Sequence, residues 1–404
     1  MQSHVESLAG PADAARICPA CGAAGARVFF AVEDVPTNSC ILLPSEEEAR
    51  AYPTGDVRLA FCDACGYIHN SAFDFLKTEY SGRYEETQGF SAVFSKFHRS
   101  LAQRLIDKYD LHGKQVLEIG CGKGEFLMLL SELGANRGIG IDPGVRPERL
   151  SGEAATRLQF IQDYYSEKYA DQRVDFLACK MTLEHIPKAA EFMRNVRRGL
   201  GDQTGTTVFF QIPEAKRILS HCAFEDIYYE HCAYYTKGSL ARLFRRARFD
   251  VLSIGVEYGD QYLTIEARPS SNSPTGPLPQ ENDLNEVRTL VADFPARCGE
   301  TLEGWRERLK SLRREGKTVA LWGSGSKAVS FLTTLGAGDH VQLVTDINPY
   351  RHYNFLPKTA HRIIPPEELG QHRPDVVIAM NAIYSDEIAE KLRALGVVCE
   401  LLAL

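Results

Sequence analysis

One pattern occurs twice in this chain and limits its fold more than any other feature. It is a buried strand, a glycine-rich turn, a helix, a second strand, and an acid at that strand's end. In the first copy, residues 114–119 end in Val116-Leu117-Glu118-Ile119, and Gly120-Cys121-Gly122-Lys123-Gly124 follows. Phe126, Leu127, Leu129, Leu130 and Leu133 predict a helix, residues 138–141 a second strand, and Asp142 comes next. In the second copy, a strand over 317–322 leads to Gly323-Ser324-Gly325-Ser326-Lys327, a helix over 328–335, a strand over 341–345 and Asp346. Such units build parallel sheets that take ligands at the strand ends. The fold class expected is therefore α/β, with two Rossmann-like halves.

The first copy carries more chemistry. Three glycines let a ligand lie against bare backbone, and Asp142 falls where a carboxylate can accept both hydroxyls of a ribose. A GxGxG alone is a weak signal; Glu118 just before it and Asp142 at this spacing strengthen it. The unit continues with a strand ending at Asp163 and another over 174–179, followed by Lys180-Met181-Thr182-Leu183-Glu184-His185-Ile186-Pro187. A helix over 189–200, a strand over 206–212, a loop over 213–235, a helix over 237–247 and strands near 250–256 and 263–267 complete it. Upstream, residues 71–100 are aromatic and polar, and Leu101, Leu105, Ile106 and Tyr109 predict a helix over 98–109. Prolines at 269, 274, 277 and 279 mark a linker over 268–283. A helical pattern over 284–314 is interrupted at Pro295, which should end or kink it. Two further strands are expected at 375–380 and 397–402.

Eleven cysteines are many for a reducing compartment, and four show ligand spacing. Cys18-Pro-Ala-Cys21-Gly and Cys62-Asp-Ala-Cys65-Gly are two CxxCG knuckles. A tight turn aims both thiolates of a knuckle at one ion, and the glycine after it permits positive φ. Four thiolates close a tetrahedral shell, so Cys18, Cys21, Cys62 and Cys65 are expected to hold a structural zinc ion. Residues 31–61, between the knuckles, must form an insert of their own.

Composition excludes other classes. With 404 residues, 44% hydrophobic and 25% charged, the chain is globular rather than fibrous or disordered. A net charge of −7 makes it a poor partner for nucleic acid. No apolar run is long enough to span a membrane. The start of the chain carries Glu6, Asp13 and Arg16 and reads as no secretory signal. A cytoplasmic protein is expected; the sequence does not state an oligomeric state.

From Glu118 through Gly124, with Asp142, Asp163 and the Leu183-Glu184-His185-Ile186-Pro187 stretch, the first half resembles a class I S-adenosylmethionine (SAM) methyltransferase. The resemblance implies that Glu118, Gly120, Cys121, Gly122 and Gly124 pass under the methionine part. It also implies that Asp142 holds the ribose and Asp163 the adenine amine. The order of parts, from about residue 15 to 404, resembles the zinc-containing sugar C-methyltransferases. It implies a zinc-binding domain over 1–75, a SAM-binding domain over 76–268 and a C-terminal Rossmann-like substrate domain over 284–404. That family places a Tyr-x-Glu-His stretch at its active site, matched by Tyr228, Glu230 and His231. A strand-end histidine matches His185, and an early tyrosine matches Tyr84 or Tyr80. The C-terminal glycine turn matches Gly323, Gly325, Ser326 and Lys327.

The implied reaction is methylation of the carbon beside a ketone in a nucleotide-linked keto-deoxysugar. The residue types suit it. A histidine, with an ordinary pKa near 6.5, can remove the α-proton, and tyrosine hydroxyls can donate to the enolate oxygen. Backbone N–H groups at a helix start, together with Lys327, suit an anion such as a nucleotide diphosphate; an ordinary strand-to-helix turn is the alternative. The chain departs from the family at Glu85-Glu86-Thr87-Gln88, at Gly259-Asp260-Gln261-Tyr262 and at Met380-Asn381. Two alternatives stay open: methylation of carbon, nitrogen or oxygen on another natural-product precursor, and a SAM- or nucleotide-binding regulatory or assembly protein.

Overall fold

The computed structural model describes residues 17–170, 172–270 and 275–404. The expected absence of a signal over residues 1–16 and the linker residues 271–274 lie outside the described residues. No described helix is long and apolar enough to cross a membrane.

The first sheet is antiparallel: β1 (Arg27–Pro36), β2 (Thr54–Phe61) and β3 (Ile68–Asn70). The insert between the knuckles is most of β1 and β2, joined through helix α1 (Glu46–Arg50). Ser45 starts that helix, its hydroxyl accepting from the Glu48 N–H at 3.2 Å. A fourth strand arrives from far along the chain. Ala233–Tyr234 (β9 in chain order) pairs with β3, with Ile68 opposite Tyr234 and His69 opposite Ala233. The cysteine-bearing segment is thus built into the same sheet as the end of the 225–235 loop.

Helix α2 (Ala92–Tyr109) leads into the second sheet. It begins six residues before the sequence pattern suggested, because Ser91 caps it and Phe94 and His98 extend its buried stripe. The sheet holds β4 (Gln115–Ile119), β5 (Arg137–Ile141), β6 (Leu158–Ile161), β7 (Phe176–Lys180) and β8 (Thr207–Pro213), all parallel. Helices α3 (Glu125–Gly134) and α4 (Ala189–Leu200) cross over between strands. The 213–235 region, expected as a loop, contains α5 (Ala215–His221), whose N-cap Glu214 accepts from the Arg217 N–H at 2.7 Å. Helix α6 (Lys237–Arg246) and the antiparallel pair β10 (Phe249–Glu257) and β11 (Tyr262–Pro269) finish the edge. The order is β10-β11-β8-β7-β4-β5-β6.

Helix α7 (Leu284–Arg314) runs through Pro295 as one element, so the proline does not end it. Proline removes one backbone donor at a cost of about 3 kcal/mol. Val287, Val291, Phe294, Cys298, Leu309 and Leu312 offset this by burying one face of the helix in the core shared with the C-terminal sheet. That sheet is β12 (Val319–Trp322), β13 (Leu343–Thr345), β14 (Ile363–Ile364), β15 (Val376–Ala379) and β16 (Glu400–Ala403), with α8 (Ser326–Leu335), α9 (Leu369–His372) and α10 (Ser385–Ala394). All its strands are parallel, in the order β14-β13-β12-β15-β16.

Both parallel sheets reverse their winding once. The chain leaves β4 in one direction and returns to β7 on the other side; it does the same at β12 and β15. Ligands bind at such switch points. Residues after both of them, Gly120 and Met181 on one side and Gly323 and Met380 on the other, line a single cavity.

Candidate active site

The cavity has a volume of ≈1130 Å³ and separates the two halves. Its floor on the N-terminal side is the turn after β4. Gly120, Gly122 and Gly124 have φ of 67°, 53° and 84°, a region closed to most L-residues. A Cβ on Gly120 would lie 2.0 Å from the Thr182 hydroxyl oxygen. Asp142 shapes the turn from the end of β5, its carboxylate accepting from Gly122 N–H at 3.0 Å and Gly144 N–H at 2.7 Å. Burial raises its pKa while those two donors lower it. Cys121 borders the same space, its thiol pushed up by burial. Glu118 is buried on β4, and burial drives its carboxyl up to about 8. At the far end, Asp163 is already engaged. It accepts from the Tyr164 N–H at 2.8 Å and the Tyr169 hydroxyl at 2.5 Å, and pairs with Lys168.

Across the cavity, the aromatic and histidine residues converge. His185 follows β7 and His231 precedes β9, and their rings meet edge-on at 4.8 Å. The Tyr80 hydroxyl lies 2.9 Å from His185 Nδ1, and the Glu230 carbonyl oxygen lies 3.0 Å from the same nitrogen. A carbonyl can only accept, so Nδ1 carries the proton and Nε2 keeps its lone pair. The Tyr228 ring packs against His231 with centroids 4.1 Å apart and a tilt of 45°, and Tyr84 lies 5.5 Å from Tyr80. Both early tyrosines therefore line the site. Burial pushes His185 down to about 4; burial, His185 and Lys327 together hold His231 well below its ordinary value. Both imidazoles are neutral at pH 7 and able to accept a proton. Burial raises the Tyr80, Tyr84 and Tyr228 hydroxyls, which stay protonated donors.

Glu230 is fully buried and accepts from the Ser39 N–H at 2.8 Å and from the Ser39 hydroxyl. Burial moves its carboxyl up to about 7, against those hydrogen bonds. With its own proton on Glu230, the Ser39 hydroxyl oxygen accepts from the Ser326 hydroxyl, 2.7 Å away. Glu184 has both carboxyl oxygens buried without a hydrogen-bond partner, and burial raises it to about 8.

The turn after β12 forms the opposite wall. Gly323 takes φ 104°, and Gly325 does not take a positive φ. Asp346 accepts from the N–H and hydroxyl of Ser324, each at 2.7 Å. Lys327, expected to meet an anion, pairs instead with Asp226 at 2.5 Å and Glu225 at 3.7 Å.

Several contributors carried no readable signal. Ser39 sits in the insert between the knuckles. Glu85, in the departing stretch, accepts from Arg149 at 2.8 Å and Asn348 at 3.0 Å; the buried Arg351 donates to its carbonyl and to Ser324 O at 3.0 Å. That stretch ties the two halves together. Lys180 and His98 also line the cavity, and only the position of Lys180 at a strand end could have flagged it.

The four knuckle cysteines form a separate cluster. Cys18 Sγ lies 3.7 Å from Cys65 Sγ, Cys21 Sγ lies 3.7 Å from Cys62 Sγ, and all four sulfurs lie within 4.8 Å of one another. A tetrahedron with Zn–S bonds of about 2.3 Å has edges of about 3.8 Å, so the donor set fits zinc. Gly22 and Gly66 take φ of 76° and 74°, as the knuckles require.

Residues 90–254 match the methyltransferase domain family, and residues 278–397 match the C-methyltransferase C-terminal domain family. The C-methyltransferase NovU of Streptomyces niveus is 23% identical over 369 residues, covering 86% of each chain. A ubiquinone biosynthesis O-methyltransferase of Aliivibrio fischeri is 33% identical over 107 residues, 25% of this chain and 44% of that one. Among solved structures, magnesium protoporphyrin IX methyltransferase of Synechocystis covers 44% of this chain and 84% of its own, with 17% identity and a TM-score of 0.34.

Proposed function

We propose, for a chain that is a SAM-dependent methyltransferase of class I fold, that it methylates the carbon beside a ketone in a nucleotide-linked keto-deoxysugar. The observation that carries this reading is the meeting of two neutral histidines with three protonated tyrosines at the cavity between the halves. SAM supplies the electrophilic methyl group. Its binding would use the turn at residues 120–124, with Asp142 toward the ribose and Asp163 toward the adenine. His231 takes the α-proton onto its imidazole, with His185 beside it. Tyrosine hydroxyls from Tyr84, Tyr80 and Tyr228 donate to the enolate oxygen. The electron pair released from the C–H bond would form the new carbon–methyl bond as the methyl–sulfur bond breaks, its electron pair leaving on the neutral thioether product. Glu230 holds Ser39 and its own loop in place. The similarity to a C-methyltransferase over most of both chains supports transfer to carbon.

A second reading has its own observation. Lys327 is already paired with two carboxylates, which leaves the C-terminal turn without a free cation for a diphosphate. An acceptor lacking a nucleotide fits that arrangement.

We further propose that Cys18, Cys21, Cys62 and Cys65 hold one structural zinc ion. Its role would be to brace the sheet in which β9 fixes the position of His231.

The test uses a panel of nucleotide-linked keto-deoxysugars in D2O. With the right acceptor and no SAM, the wild type should exchange the α-proton for deuterium. With SAM it should form a carbon-methylated product. His231→Ala should lose both, with kcat down by about 10²-fold or more, while SAM affinity holds. A product methylated on oxygen or nitrogen, or exchange unchanged in His231→Ala, would overturn this reading.

A further inference from the structure

Glu184 is a buried acid that the reaction scheme above does not use. It sits between Leu183 and His185 in the turn after β7, on the wall of the cavity. It is 1% exposed, and neither of its carboxyl oxygens has a hydrogen-bond partner. A buried polar group is costly unless something pairs with it. Glu184, His185 and His231 each offer one ligand atom, and those three atoms lie within 4.8 Å of one another. Among the described residues, only the four knuckle cysteines form another such set.

The histidines are prepared for the same task. His185 Nδ1 donates to the Glu230 carbonyl oxygen at 3.0 Å, which leaves Nε2 with its lone pair. A metal-bound histidine commonly has its other nitrogen fixed in this way. The His231 ring meets His185 edge-on at 4.8 Å and packs against Tyr228 with centroids 4.1 Å apart. Bonds of about 2.0–2.2 Å from one ion to nitrogen and oxygen set the ligand atoms about 3 Å apart. No hydrogen bond holds the Glu184 carboxyl back from closing that gap. Two imidazoles and a carboxylate suit divalent zinc, cobalt or iron rather than magnesium or calcium, which prefer oxygen. All three residues border the cavity, so an ion among them would keep open positions toward it.

We propose that Glu184, His185 and His231 form a second metal site, which takes one divalent transition cation and, when filled, withholds from the reaction the His231 lone pair that would accept the α-proton. The site stands on the geometry alone; its effect on turnover rests on the reading of His231 as the base. Three such ligands hold an ion more loosely than four thiolates, so this ion exchanges where a cysteine-bound one stays.

Protein carrying one zinc per chain is titrated with cobalt(II), followed by calorimetry and visible absorption. Wild type should take up one further equivalent and show the d–d bands of a nitrogen- and oxygen-ligated ion. It should show none of the near-ultraviolet sulfur-to-cobalt bands that the cysteine cluster would give. Magnesium at the same concentration should not compete. Glu184→Gln, which keeps the shape and removes the anionic ligand, should weaken cobalt binding by at least about tenfold. Cobalt should also stop α-proton exchange in the wild type, and a chelator should restore it. No further equivalent, sulfur-to-cobalt bands alone, or equal cobalt affinity in Glu184→Gln would overturn the site. If that variant does not fold, the wild-type stoichiometry and bands decide. Failure of the base reading looks different: cobalt would bind with these bands while exchange continued undiminished. That result would overturn the effect on turnover and leave the ion site in place.

Discussion

The turn after β4 and the turn after β12 come from the same sequence pattern and end in different states. In both, the acid after the second strand folds back and accepts from the turn: Asp142 from Gly122 and Gly144, Asp346 from Ser324 and Asn348. The difference lies in the side chains. The first turn has three glycines at positive φ, and its bare backbone faces the cavity. The second has one at positive φ, and its side chains are engaged: Ser324 with Asp346, Ser326 with Ser39, Lys327 with Asp226. A strand–turn–helix unit becomes a ligand cradle when its turn has no side chains to engage. It becomes a clamp between protein parts when it has them.

The largest expected effect breaks the cradle. Gly120→Ala forces an L-residue to φ 67° and sets its Cβ 2.0 Å from Thr182 Oγ1. Left-handed backbone costs roughly 1–2 kcal/mol and overpacking about 1–3 kcal/mol more. SAM affinity measured by calorimetry should fall by about 10²-fold or more. Gly325→Ala, where an added Cβ meets nothing within 4 Å, should change neither SAM affinity nor melting temperature measurably. Equal effects at both positions would erase the distinction between cradle and clamp.

The two capping acids give the next contrast. Asp142→Ala removes the carboxylate proposed to face the ribose and orphans two backbone donors. SAM affinity should fall by at least about tenfold, since truncating a buried charged acceptor costs on the order of 2–4 kcal/mol. Asp346→Ala orphans the Ser324 and Asn348 donors on the opposite wall of the cavity. Each buried orphan costs about 1–3 kcal/mol of stability, so the melting temperature should drop while SAM affinity stays within twofold. A loss of SAM affinity in Asp346→Ala would mean that the second turn also reads the cofactor.

The four-cysteine cluster tests how far the histidine-bearing wall of the cavity depends on a distant part of the chain. Protein purified without chelator should contain one zinc per chain. Cys62→Ser should loosen the first sheet and, through the pairing of Ile68 with Tyr234, the loop that carries Glu230 and His231. Methyl transfer should fall about tenfold or more with SAM affinity nearly unchanged. Unaltered turnover in a zinc-free variant would show that the loop holds its place without the metal.

What could be read in advance follows from which signals are local. Strand, glycine turn, helix and acid are consecutive, so the pattern at residues 114–142 reported its own geometry. The CxxCG knuckles did so too, because each fixes two thiolates within one turn. His185, Tyr228 and His231 were found from a resemblance and from their density, not from contacts. Ser39, Glu85, Arg351 and the pairing of β9 with β3 were invisible, because each joins segments far apart in the chain; Ser39 and Glu230 are 191 positions apart. Pro295 does not end α7, for a related reason. A local breaker is outweighed by six apolar side chains of α7 buried against distant partners. Lys327 shows the limit most clearly, because the sequence displays the cation but not the carboxylates that meet it.

Lys327 also sets the smallest effect and the one that sharpens the comparison most. As an anion-binding residue it would contact acceptor phosphate, and Lys327→Met would then raise the acceptor KM by tenfold or more. As part of a clamp it neutralises Asp226 and Glu225, with Arg217 also pairing Asp226 at 2.8 Å. Its side chain is 18% exposed, so the pair is partly screened, and Arg217 remains to hold Asp226 when the lysine is gone. The clamp therefore predicts a KM change within about threefold, and a loss of stability toward the lower end of what breaking a buried pair costs. A second effect follows from its position. Lys327 is one of the groups that hold the His231 imidazole in its neutral form. Removing that positive charge should move the His231 pKa up toward its ordinary value. A base with a depressed pKa stays active as pH falls, so the variant should lose kcat/KM at a higher pH than the wild type when titrated downward from 7. A tenfold rise in KM with no movement of that acid limb would assign Lys327 to the acceptor and make the second turn an anion cradle after all.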